Sequence, residues 1–168
     1  MSKEAKARIK INKLLEEAGW RFFDNDDGNA NIVLENKAKL TQTELDEFGD
    51  NFEKTSNGFI DYLLLDDKGF PLIVLEAKKE EINPLAAKEQ ARKYATAQKC
   101  RFVILSNGNQ HYLWDLQRGN PNIISKFPKA EVAYTNRGAI RKENKELTGA
   151  LSDFNKAIQL GKKDYKSY

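Results

Sequence analysis

The sequence predicts an α/β fold, a mixed central sheet flanked by helices and followed by a C-terminal helical hairpin. Three observations predict it. Two short apolar hairpin patterns, 59–75 and 101–116, carry turn signals at Asp66-Asp67-Lys68-Gly69 and Ser106-Asn107-Gly108. Helical patterns precede the first hairpin and separate it from the second. Beyond Pro128 the strand signals stop and two helical stretches follow, so the chain divides into a first unit, 1–128, and a second, 129–168.

The elements follow in order. Lys3 to Ala18 reads as an amphipathic helix with Ile9, Leu14, Leu15 and Ala18 as its apolar positions and Gly19 as its stop. Asp24 to Asn29 is a polar turn, Ile32-Val33-Leu34 a short strand, and Thr41 to Phe48 a stretch with helical charge spacing. After the first hairpin, Asn83 caps a helix with Pro84 at its first position, running through Gln90 and Tyr94 to Gln98 and exposing Lys88, Arg92 and Lys93. Arg101 to Leu105 is a buried-strand pattern, and Gln110 to Leu116 is its returning partner. Helices over Val132 to Lys145 and Leu147 to Gln159 close the chain.

Chemistry is concentrated at one end of the first hairpin. A two-residue Lys68-Gly69 loop sets Asp61 directly opposite Glu76, two carboxylates on adjacent strands that call for a compensating cation. Lys78 falls on the same face by the strand period of two. The outline is that of a metal site with an attendant lysine. Glu-Ala-Lys alone is a weak signal, since solvated strand ends contain such tripeptides by chance. Here it ends an apolar run, where burying unpaired charge costs several kcal/mol, on the order of that for any desolvated ion.

Composition limits the remaining classes. The 168 residues carry 28 Lys and Arg against 25 Asp and Glu, a net charge of +3, so any nucleic-acid surface must come from local clustering. The single cysteine, Cys100, excludes an internal disulfide framework and fits a reducing compartment. With no apolar run suited to a signal peptide or membrane span, a soluble cytoplasmic protein without a membrane partner is expected. Cys100 and the lone His111 read as structural, and no GxxxxGK phosphate loop occurs.

Further pieces join the Asp61/Glu76 hairpin: Ala18-Gly19-Trp20 after the first helix, Gly58-Phe59-Ile60-Asp61-Tyr62, Pro71 to Glu76-Ala77-Lys78-Lys79, Gln90-Ala91-Arg92-Lys93-Tyr94, and Ser106-Asn107-Gly108 followed by Trp114-Asp115. Together, over Glu4 to Pro128, they resemble the N-terminal nuclease domain of the R subunit of type I restriction enzymes, a branch of the PD-(D/E)xK superfamily. The resemblance implies a restriction-endonuclease-like sheet and a Mg²⁺-dependent endodeoxyribonuclease. Asp61 and Glu76 would hold the metal with the Ala77 carbonyl, and Lys78 would orient the attacking water or steady transition-state charge. By the same resemblance, Gln90 and Tyr94 would form a QxxxY element that contacts DNA or supports the catalytic residues. Lys79, Lys88, Arg92, Lys93 and Tyr94 would contact DNA through its phosphates. Glu4, Glu16 and Glu17 compete as the acidic residue that some members bring from the first helix. The motor that accompanies this domain in R subunits is not expected within this chain, although a motor or specificity subunit is an expected partner.

In the second unit, Tyr134, Gly138, Ala150, Phe154 and Ala157 have the spacing of a tetratricopeptide repeat, whose period of about 34 residues carries Tyr134 to Tyr168. Arg141 and Lys162 depart from that pattern, and a generic helical hairpin is the alternative. A lone unit would have to pack on the preceding domain or on a protein partner. A catalytically inactive nuclease fold that serves as a scaffold, binding DNA or a protein through this tail, is the second functional reading.

Overall fold

The computed structural model describes residues 3–37 and 59–166. Six strands form one sheet in sequence order: β1 (Ile32–Lys37), β2 (Phe59–Leu65), β3 (Pro71–Ala77), β4 (Phe102–Ser106), β5 (His111–Asp115) and β6 (Asn122–Ile124). All neighbours are antiparallel except β3 and β4, which run parallel, so the sheet is mixed as expected. A parallel pair requires a crossover. Here it consists of a 3-10 turn over Pro84–Ala87 and the helix α2 (Lys88–Ala97), which lies on one face. The helix expected from Asn83 therefore begins as a tighter turn: the Asn83 side chain caps Leu85 and α-helical geometry starts at Lys88.

Both faces of the sheet are covered, so the central strands are apolar on both sides. Leu72 to Glu76 and Val103 to Ser106 are buried without interruption. On one face Tyr62, Leu64, Ile73, Leu75 and Ile104 pack with Ile11 and Leu15 of α1 (Lys3–Glu17) and with Trp20 and Tyr134. On the other, Leu63, Val74, Val103 and Leu105 meet Ala91, Tyr94 and Ala95 of α2.

The inward positions of α1 are Ala7, Ile11 and Leu15, while Ile9 is exposed, contrary to its expected place in the core. Ile9 lies two residues from Ile11, about 200° around the helix, and so faces away from the sheet. Gly19 at φ +87° ends α1 as foreseen, its amide on Glu16 and that of Trp20 on Leu15, the paired bonds of a Schellman cap.

The hairpin turn departs from the simple two-residue loop. An irregularity between Leu64 and Leu65 widens it, and Asp66 closes it by accepting from the Lys68 and Phe70 amides. The register below the irregularity is nevertheless the expected one: Tyr62 pairs with Leu75 and Leu63 with Val74, which sets Asp61 beside Glu76. The short, mostly exposed β6 carried no alternation to announce it. The stretch Thr41 to Phe48 lies outside the described residues.

The C-terminal helices, α3 (Ala130–Glu143) and α4 (Leu147–Lys166), form the expected hairpin. A Cβ on Gly138 would come within 3.0 Å of Phe154, so the glycine permits their close approach. The pair rests on the α1 face of the sheet, where Ala133, Tyr134, Ala157 and Leu160 join the core, and the Trp20 indole donates to the Pro128 carbonyl.

Candidate active site

The parallel strands β3 and β4 end side by side, Ala77 paired with Ser106, and the Lys78 amide donates to the Ser106 carbonyl. Carboxyl ends of adjacent parallel strands are where open α/β sheets place their ligands. Strand alternation puts Glu76 on the α2 face with Val74, and Asp61 stands beside it on β2. Asp61 Oδ2 accepts the Ala77 amide at 2.9 Å, so the aspartate is anchored to the backbone that follows the glutamate.

Glu76 is 2% exposed, and its Oε1 has no hydrogen-bond partner among the described residues. Burial pushes its carboxyl well above the ordinary glutamate range, and the adjacent Asp61 charge adds to the shift while the Lys78 charge opposes it. An unsatisfied buried carboxyl is costly. The donor set fits a hard divalent cation: two oxygen ligands from side chains, with the Ala77 carbonyl on the backbone between Glu76 and Lys78. No group of three or more His, Cys, Asp or Glu residues is gathered for a metal among the described residues. Mg²⁺ binds with one or two carboxylates while keeping several waters and taking substrate phosphates.

The wall of the site is α2. Gln90 donates its side-chain amide to the Tyr94 hydroxyl at 3.1 Å, so the QxxxY pair is an internal hydrogen bond one helical turn long. Burial raises the Tyr94 phenol to about 12, with the Glu76 and Asp61 charges acting in the same direction. Tyr94 is fully buried. Expected among the DNA contacts, it presents no exposed surface in this structure.

The expected contact lysines and arginine are distributed unevenly. Lys79 and Arg92 are exposed, Arg92 pairing with Glu89 at 2.9 Å. Lys93 is half-buried on the same helix. Lys88 turns toward the second hairpin, 4.9 Å from the Trp114 ring centroid and 3.2 Å from Asn120 Oδ1.

The Ser106-Asn107-Gly108 turn shapes the rim. The Asn107 amide donates to the carbonyls of Glu80 and Ile82, fixing the loop after Lys78, while its oxygen accepts from the Asn109 and Gln110 amides. Gly108 sits at φ +87°, and a Cβ there would lie 3.1 Å from the Ala7 backbone. Glycine is thus required twice, for the turn and for the seat of α1. His111 is held at 2.7 Å from Ser106 Oγ and edge-on to Phe127, a structural histidine whose burial lowers its pKa. Cys100 is buried and its thiol is pushed up to about 12 by burial, which leaves it inert.

One residue of the site escaped the sequence reading. Arg8 of α1 donates from Nη2 to Asp61 Oδ1 at 2.5 Å, with its guanidinium 5.7 Å from the Tyr62 ring centroid. Glu4, a candidate first-helix acid, lies one turn before it at 4.0 Å, whereas Glu16 and Glu17 are exposed in the last turn of α1. A lone arginine on a helix with five lysines and arginines carried no signal before the helix was placed against β2.

Comparison with known proteins gives two matches. Residues 47–128 match the family model described as type I restriction enzyme R protein N terminus. A search of curated proteins returned no match. Among solved structures, a fragment described as an HsdR subunit of a type I restriction enzyme from Vibrio vulnificus YJ016 superimposes with a TM-score of 0.57 at 22% identity. The match covers 77% of this chain and 24% of that one, so this chain spans about a quarter of the fragment's length. Residues 47–128 are therefore similar in sequence to the N terminus of type I restriction enzyme R proteins, and the α/β fold is that of an HsdR fragment.

Proposed function

We propose that the chain is a Mg²⁺-dependent endodeoxyribonuclease module of the type I R-subunit kind, a PD-(D/E)xK centre that hydrolyses DNA phosphodiester bonds at Asp61, Glu76 and Lys78. The observation that carries this reading is the buried, unpartnered Oε1 of Glu76 beside Asp61, at the end of two parallel strands. Asp61, Glu76 and the Ala77 carbonyl would hold Mg²⁺, which when bound polarises the phosphate and lowers the pKa of a water.

The chain's own groups perform the rest. Lys78 brings an ammonium to the carboxylates, where it orients the attacking water and offsets charge developing on the phosphate. Tyr94 and Gln90 close the site from the α2 side and keep bulk water from the glutamate. Lys79, Arg92 and Lys93 hold the DNA backbone without reading bases. DNA and the other type I subunits are the partners this reading supplies. Plasmid cleavage with Mg²⁺ by Asp61→Ala, Glu76→Ala and Lys78→Ala is the test. Cutting that persists undiminished in all three variants rejects the assignment.

The exposed Leu147, Leu151 and Ile158 on α4 favour a second reading, a nuclease-fold scaffold whose tetratricopeptide-like tail binds a protein. Mg²⁺ titration separates the two, because a scaffold requires no binding at Asp61 and Glu76.

A further inference from the structure

One oxygen of this site, Asp61 Oδ1, already faces a cationic group. Asp61 accepts the Ala77 amide on Oδ2 and the Arg8 guanidinium, at 2.5 Å, on Oδ1. Arg8 is not deeply buried: its side chain is 27% exposed, and that of Asp61 19%. Glu4 at the helix rim and the face of the Tyr62 ring are among its other neighbours. The pair is therefore a partly exposed contact beside Glu76.

We propose that Arg8 is a phosphate-binding residue of this site, held on Asp61 Oδ1 until a divalent cation takes that oxygen. The inference rests on the Mg²⁺ nuclease reading above. Once displaced, the guanidinium lies close to a dication, an arrangement that repels unless an anion bridges the two. A backbone phosphate supplies that anion, and the guanidinium fork matches its non-bridging oxygens in a way an ammonium does not. No bond is made or broken in this exchange. Its consequence is thermodynamic: Arg8 opposes cation binding when DNA is absent and favours it when a phosphate is present, so metal and DNA bind cooperatively through one side chain.

The experiment is a calorimetric titration with Ca²⁺, a hard cation that also takes carboxylate oxygens, run with and without a short duplex whose integrity is checked afterwards on a gel. The chains are the unaltered protein, Arg8→Ala, Arg8→Lys and Asp61→Asn, each first shown to be folded by circular dichroism. Arg8→Ala is expected to bind Ca²⁺ about tenfold more tightly without DNA, having lost a charged competitor. It is also expected to lose the enhancement that duplex gives the unaltered protein. Arg8→Lys is expected to keep the competition and lose most of the enhancement, since an ammonium lacks the fork.

If Arg8→Ala binds Ca²⁺ equally or more weakly while Asp61→Asn abolishes binding, the metal site stands and the role of Arg8 is overturned. Equal enhancement by DNA in the unaltered protein and Arg8→Ala overturns it likewise. Absence of binding in every chain, Arg8→Ala included, overturns both this inference and the metal-site reading.

Discussion

The two ends of the β2–β3 hairpin carry acidic residues in similar number and treat them in opposite ways. At the turn end, Asp66 and Asp67 are fully engaged. Arg137 bridges Asp66 at 2.9 Å and the buried Asp153 at 2.8 Å, Arg141 adds a second cation to Asp153, and the Tyr134 hydroxyl donates to Asp67 while accepting its amide. Lys156 completes the network. At the other end, Glu76 keeps a buried oxygen without a partner, and Asp61 depends on an arginine from a distant part of the chain. Charge that is satisfied by the fold ties the helical hairpin to the sheet. Charge that the fold leaves unsatisfied is available for a ligand.

The largest difference between the ends is expected from Glu76→Gln. Cleavage should fall by about 10²- to 10³-fold, as when a group that stabilises transition-state charge is removed. Stability should be unchanged or higher, because a neutral amide replaces a buried carboxyl. The pH dependence sharpens this. A folded-state pKa raised above the ordinary value of 4.5 means that the native protein holds this proton more tightly than the unfolded chain. The stabilisation is therefore complete below 4.5 and is lost as pH rises through the raised native value. Thermal unfolding in a chelator across that range should show the decline in the unaltered protein and not in Glu76→Gln.

The turn end should respond the other way. Asp153→Ala strips Arg137 and Arg141 of a buried counter-charge, and urea unfolding should register a loss of about 3 kcal/mol. Divalent-cation binding at Asp61 and Glu76 should be unaltered at temperatures where the variant is folded. A large change in cation affinity would mean that the two ends are coupled, and the comparison would have to be abandoned.

Gly108→Ala is the smallest of the three. A strained φ and a Cβ 3.1 Å from the Ala7 backbone should cost about 2 kcal/mol and push α1 outward. Because α1 carries Arg8, this variant should change cation affinity as well as stability, unlike Asp153→Ala.

The hairpin register at the site was expected from a two-residue Lys68-Gly69 loop; the turn is wider than that, and the irregularity between Leu64 and Leu65 restores the same pairing. Gln90 and Tyr94 were legible as one helix face because their spacing is local, and the Gly19 stop and the Asn83 cap were legible from residue type. Three features were hidden. The inward phase of α1 shifted from Ile9 to Ala7 and Ile11 because a small residue packs where the helix crosses the Gly108 turn. The burial of Tyr94 depends on how deeply α2 sits, which helical periodicity does not encode. Arg8 was invisible because its partner lies 53 residues away.

By itself, then, the sequence determined the order of the helices and of the strands before β6, and the glycines that turns demand, all set by neighbours along the chain. Tertiary structure alone decided which carboxylates are satisfied. That outcome depends on which arginine each helix delivers to which strand end: Arg137 reaches Asp66 at the turn, Arg8 reaches Asp61, and nothing among the described residues reaches Glu76 Oε1. Burial and pairing are properties of packed surfaces, and they separate a structural cluster of acids from a candidate site built of the same residue types.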